Sequence, residues 1–171
     1  MSVLEGLEGS RADVVGLWGR RGFVTLLLAV VLAGPAGLLG VRSADASARE
    51  GEWSLHLEYA AVARAGLDVP WTATVRHEGG FPADTPVTLV ITGDYLDLYE
   101  SQGFRPEPAS SRRDGDTLYL AFDAPPSGDE LVVGFDAYVQ PAAQRGRFAT
   151  LAVLSGGRRY APVTFRTRLL P

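Results

Sequence analysis

The sequence predicts an all-β chain: an immunoglobulin-like antiparallel β-sandwich of about seven strands, preceded by one transmembrane helix. Three observations carry this expectation. Apolar and polar residues alternate in short runs after residue 52, the period of strands buried on one face. Clusters of Pro, Gly and Asp separate the runs. Before them lies one uncharged apolar stretch, Gly22–Val41, fenced by Arg20, Arg21 and Arg42.

The apolar stretch has the length of a membrane span, because about 20 residues at about 1.5 Å rise cross a hydrocarbon core of about 30 Å. The expected organisation is a cytoplasmic head over 1–21, a transmembrane helix over 22–41, a tether over 42–51 and an extracytoplasmic sandwich over 52–171. A cleaved export signal is the alternative. In that reading Phe23–Ala33 is the apolar core, and cleavage falls near Ala46 or Ala48. Arg20-Arg21-Gly22-Phe23-Val24 even has the look of a twin-arginine signal. The retained anchor is favoured, since apolar character continues past Gly34-Pro35 through Leu38, Leu39 and Val41. Arg11, Arg20 and Arg21 before the span outnumber Arg42 and Arg49 after it, which favours an internal amino terminus. Both readings export the domain. Ala33, Gly34, Gly37 and Gly40 are candidate helix-packing positions, because small residues permit close approach of a second helix.

The strands follow in order. Trp53, Leu55, Leu57 and Tyr59 share one face, as do Val69, Trp71, Ala73 and Val75, then Val87, Leu89 and Ile91. The period resumes at Leu118, Leu120 and Phe122, and again from Leu131 to Val139. The last two runs, Phe148–Leu154 and Tyr160–Leu169, meet at Ser155-Gly156-Gly157-Arg158, a strong hairpin signal because both central residues accept positive φ. Asp114-Gly115-Asp116 and the stretch from Ala124 to Asp129 read as further turns. Asp94–Glu100 is compatible with a helical turn or with a continued strand.

Composition narrows the chemistry. Among 171 residues there is no cysteine, which excludes disulfides, thiolate metal sites and thiol nucleophiles. All 16 basic residues are arginine, and lysine and asparagine are absent. That bias is the codon signature of a high-GC source. It removes the reason to read the arginines as a special recognition device. A net charge of −4 argues against nucleic-acid binding.

Catalytic constellations are thin. His56 and His77 are the two imidazoles, and no Gly-x-Ser-x-Gly elbow accompanies them. An envelope hydrolase is therefore only a residual reading, and no catalytic residue is assigned. His56 and Glu58 share a strand face and His77 precedes Glu78, yet neither pair has the ligand spacing of zinc motifs. No metal ligand or cofactor is expected. Two surfaces remain as partner or ligand candidates. Asp94, Tyr95, Asp97 and Tyr99 mix acids with aromatics in a way that suits carbohydrate or protein contact; the competing reading is a turn whose tyrosines lie partly in the core. Arg158, Arg159, Arg166 and Arg168 form a basic group on the last hairpin and strand.

Several stretches carry a family resemblance: Arg64-Ala65-Gly66-Leu67 with Pro70-Trp71, Pro86-Val87-Thr88-Leu89, and Pro106-Glu107-Pro108-Ala109. Further along come Phe135-Asp136-Ala137, Val139-Gln140-Pro141, Gly146-Arg147, and Phe165-Arg166-Thr167 leading to Pro171. With its basic head and single span, the chain resembles uncharacterised actinobacterial single-pass membrane proteins with an exported immunoglobulin- or fibronectin-III-like domain. The resemblance implies no activity. It implies a companion of a multi-pass membrane protein; the span, the compact exported domain and the thin catalytic constellations add the expectation of a non-enzymatic interaction or accessory domain with another envelope protein, in an unspecified oligomeric state. The alternative is an exported cell-wall carbohydrate-binding module.

Overall fold

The computed structural model describes residues 9–34, 41–82, 85–125 and 128–170. These fall into two units, 1–40 and 41–171, and each is described by itself.

The first unit holds helix α1, Gly9–Ala33. Within it, Val15–Ala33 is long and apolar enough to cross a membrane, a composition shared by membrane spans and export signals. Its 19 residues rise about 28 Å. Large apolar side chains such as Leu17, Trp18, Phe23, Leu28 and Val31 are all exposed, so no part of this unit covers them. The helix starts earlier than the expected Gly22 and takes in Arg20 and Arg21, the latter lying over the Trp18 ring at 6.0 Å. Residues 35–40, the last stretch of the expected span, lie outside the described residues.

Among the described residues the second unit is a β-sandwich of ten strands, more than the seven or so expected. These are β1 (Arg42–Glu50), β2 (Trp53–Arg64), β3 (Trp71–His77), β4 (Val87–Thr92), β5 (Tyr99–Arg105), β6 (Ser110–Asp114), β7 (Thr117–Phe122), β8 (Glu130–Val139), β9 (Arg147–Ser155) and β10 (Arg158–Leu170). One sheet runs β1-β2-β3-β8-β5 and the other β10-β9-β4-β7-β6. The pairs within both are antiparallel. A single parallel pairing, Arg168–Leu170 with Val62–Arg64, joins the two.

Inward residues of both sheets fill the interior: Leu55, Leu57, Trp71, Val75, Phe135 and Val139 from one, Leu89, Ile91, Phe122, Leu151, Val153 and Phe165 from the other. Trp71 and Phe135 lie 5.0 Å apart and Tyr99 meets Phe135 edge-on at 5.3 Å, contacts of about 0.5–1.5 kcal/mol each beyond burial. The expected Gly-Gly hairpin forms with φ of 57° and 78° at Gly156 and Gly157, and Ser155 pairs with Arg158.

Two segments differ from the sequence reading. Residues 42–51, read as a tether, form β1, which pairs with β2 from Arg42↔Val62 to Glu50↔Trp53. Small residues make it look like linker, but Ala46 and Ala48 pack against the core. Asp94–Glu100 proves to be both alternatives in succession, a 3-10 turn over Tyr95–Leu98 running into β5.

Candidate functional site

Alternation along β1 and β2 decides what the outer face of the first sheet carries. With Ala46, Ala48, Leu55 and Leu57 directed inward, Asp45, Ser47, His56 and Glu58 must point out. Antiparallel register sets Asp45 opposite Glu58 and Ser47 opposite His56, with Thr74 of β3 on the far side of His56. A groove of about 730 Å³ runs along this face, lined by Ser47, Arg49, His56, Thr74, Arg76 and Glu130 among others.

The imidazole of His56 is held from one side. Its Nδ1 lies 2.7 Å from the Ser47 hydroxyl, and its Nε2 lies 3.7 Å from a Glu58 carboxylate oxygen. Ser47, His56 and Glu58 thus stand in the spatial order of a hydrolytic triad. The second step exceeds hydrogen-bond length, and the His56 and Glu58 side chains are 44% and 64% exposed. Nothing in this geometry activates Ser47 as a buried base would. With the Asp45 carboxylate added, one ligand atom from each of Asp45, His56 and Glu58 lies within 4.8 Å of the others. The sequence reading expects no metal ligand because zinc-motif spacing is missing, and Asp45, in the supposed tether, is not among the residues it weighs.

His77 is set apart. Its Nδ1 binds the Gly80 carbonyl at 2.7 Å, its Nε2 faces Glu52 at 3.5 Å, and its ring packs on Trp53 at 4.4 Å. The pairing with Glu78 considered from sequence does not form, because Glu78 takes Arg49.

The aromatic surface expected at Asp94–Tyr99 requires correction. Tyr95 and Tyr99 are only 1% and 3% exposed. The 3-10 turn rolls both rings inward, against Phe165 and Phe135 respectively. Burial pushes both phenols above their usual range, for Tyr99 with the neighbouring Tyr95 as the next cause. No solvent-facing platform of these two rings exists to receive a sugar. Asp94 and Asp97 do lie at the surface, paired with Arg147 at 2.6 Å and Arg113 at 3.4 Å.

The arginine group is divided rather than gathered. Arg158 stands at the hairpin, paired with Glu50 at 2.6 Å and stacked over Tyr160, with the exposed Arg159 beside it. Arg166 and Arg168 are exposed near the other end of β10, about 30 Å away at strand rise. Of the small residues in the helix-packing set, Ala33 and Gly34 follow one another at the end of α1, with the Gly34 N–H on the Val30 carbonyl. Gly37 and Gly40 lie outside the described residues.

No family model matches the chain, and no curated protein sequence matches it.

Proposed function

We propose that this chain is a non-enzymatic, membrane-anchored extracytoplasmic domain that acts as a companion subunit of a multi-pass membrane protein. One observation carries the anchored form. Both candidate cleavage positions, Ala46 and Ala48, lie inside β1, opposite Leu57 and Leu55 of β2. Cutting at either would remove half or more of a strand whose alanines pack against the core. A retained Val15–Ala33 then serves as the span, and its wholly exposed apolar surface suits lipid or a neighbouring helix. The arginine bias orients the head inward, and the resemblance to actinobacterial single-pass proteins points the same way. A filled sandwich interior with open, shallow grooves on its surface suits contact with a protein better than turnover of a small substrate.

The test is purification of the untagged chain from its native membrane in mild detergent, with mass spectrometry of the intact chain and its companions. The expected result is a chain that keeps its amino-terminal helix, together with a stoichiometric multi-pass protein. A mature terminus at Ser47 or Arg49 would overturn the anchored form. Recovery of the chain alone after crosslinking in the intact membrane would overturn the companion role.

A further inference from the structure

We propose that Asp45, His56 and Glu58 form a binding site for a divalent first-row transition cation such as Zn²⁺, which clips β1 to β2. The argument starts from charge. Asp45 and Glu58 are direct cross-strand partners on one face, a position where like charges repel. The His56 ring stands on the same face, with its Nε2 3.7 Å from a Glu58 carboxylate oxygen. A divalent cation resolves that repulsion at once.

Geometry supplies the second step. The three ligand atoms already lie within 4.8 Å of one another, whereas a tetrahedral ion with bonds of about 2.0–2.2 Å needs them roughly 1 Å closer. Exposed carboxylates close that gap by rotamer change while the backbone stays in register. The imidazole needs no such search. In the tautomer that donates Nδ1–H to the Ser47 hydroxyl, 2.7 Å away, the Nε2 lone pair lies on the Glu58 side, the outer-shell orientation that metal-bound histidines use.

The donor set selects the class of ion. One imidazole nitrogen with two carboxylates suits Zn²⁺ or its first-row neighbours. Ca²⁺, by contrast, takes six to eight oxygens, and Mg²⁺ holds to waters and oxygen ligands. Water fills the remaining position, which opens toward solvent. The site exists only in a chain that keeps β1. Its presence is otherwise independent of the companion role, so the two fail separately.

Full-length, tag-free chain in detergent micelles, freed of metal by chelation and dialysis, is titrated calorimetrically with ZnCl₂. One equivalent of binding is expected, together with a rise in Tm of about 5–10 °C at a hundredfold excess over Kd. Co²⁺ in place of Zn²⁺ gives visible d–d bands. His56→Ala and Asp45→Asn each weaken binding at least 30-fold, and Ser47→Ala about 10-fold. His77→Ala leaves it unchanged. Asp45, Ser47, His56 and Glu58 are not part of the core, so His56→Ala and Ser47→Ala keep close to the parent's metal-free Tm, while Asp45→Asn, which relieves the repulsion, keeps or raises it. Absence of Zn²⁺ binding, binding that survives His56→Ala, or Ca²⁺ binding as tightly as Zn²⁺ would each overturn the proposal.

Discussion

The hydroxyl of Tyr99 donates to the hydroxyl of Tyr95 across 2.7 Å inside the sandwich. The chain of bonds continues from Tyr95 to Thr167 at 2.8 Å and from Thr167 to the Ala60 carbonyl at 2.6 Å. Since Thr167 spends its only hydrogen on Ala60, Tyr95 must donate to Thr167, and all three hydroxyls point one way. Through this relay the 3-10 turn is tied to β10 and β10 to β2. Tyr95→Phe removes the middle link and is expected to cost about 1–3 kcal/mol. Tyr99→Phe removes only the terminal donor and should cost about 1 kcal/mol or less. Urea unfolding followed by tryptophan fluorescence measures both, and the reverse ranking would contradict the direction of the relay.

The same two phenols predict an alkaline limb of stability. Burial raises both above the unfolded value near 10.0, so the folded state keeps protons that the unfolded state gives up. Stability is therefore intact below about pH 10 and falls as pH rises beyond it, by up to about 1.4 kcal/mol per pH unit for each phenol. Lysine is absent from the chain and arginine does not titrate in this range, which leaves the limb uncluttered. The double variant Tyr95→Phe, Tyr99→Phe should be less stable at pH 8 yet lose stability more slowly between pH 10 and 11.5.

Ala161 sits at φ 48° with none of its surface exposed, at the register break between Tyr160 and Val163 in β10. Its N–H reaches a Glu50 carboxylate oxygen at 3.3 Å, the same carboxylate that pairs with Arg158. A β-branched side chain is badly placed in the left-handed region and has no room there. Ala161→Val is expected to lose about 2–4 kcal/mol. Ala161→Gly should be close to neutral, because relief of the backbone offsets a lost buried methyl worth about 0.8 kcal/mol. Thermal melts of the two variants check the contrast.

Gly146 lies so close to β10 that a Cβ there would overlap the Thr167 carbonyl oxygen. Gly146→Ala must push the chain before β9 away from β10 and should cost at least about 2 kcal/mol. Gly103, in β5, has nothing within 4 Å of where its Cβ would stand. Gly103→Ala should be neutral or slightly stabilising. Equal effects at the two positions would mean that the approach of Gly146 to β10 carries no energetic weight.

Strands buried on one face announced themselves in the sequence. Leu55-His56-Leu57 and Ala73-Thr74-Val75 alternate because one side meets the core. Edge strands did not. β6, Ser110–Asp114, is exposed at every position, so it has no apolar period to read; pairing with β7 and the Arg113–Asp97 ion pair hold it. β1 uses alanine for its inward residues, and small residues among Ser, Asp and Arg look the same in a linker. The candidate cation site was hidden for that reason: two of its members stood in plain alternation on β2, while the third waited on a strand not recognised as one. The tyrosines misled in the opposite sense. Their spacing beside acids suggested a surface, and only the inward roll of the 3-10 turn settles where the rings go.

The first three strands also bear on timing. β1, β2 and β3 follow one another as a meander spanning residues 42–77, with Gly51-Glu52 as the turn between the first pair. Such local pairings form in about 1–10 μs per hairpin, and a third strand gives the assembly independent persistence. For a chain exported amino end first, Ala46 and Ala48 become inaccessible to a processing peptidase once residue 77 has emerged, with more than half of the domain still to come. If the chain is exported, a cut at either alanine must precede the pairing of β1 with β2, so substitutions that weaken that pairing would favour release of the domain without touching the helix.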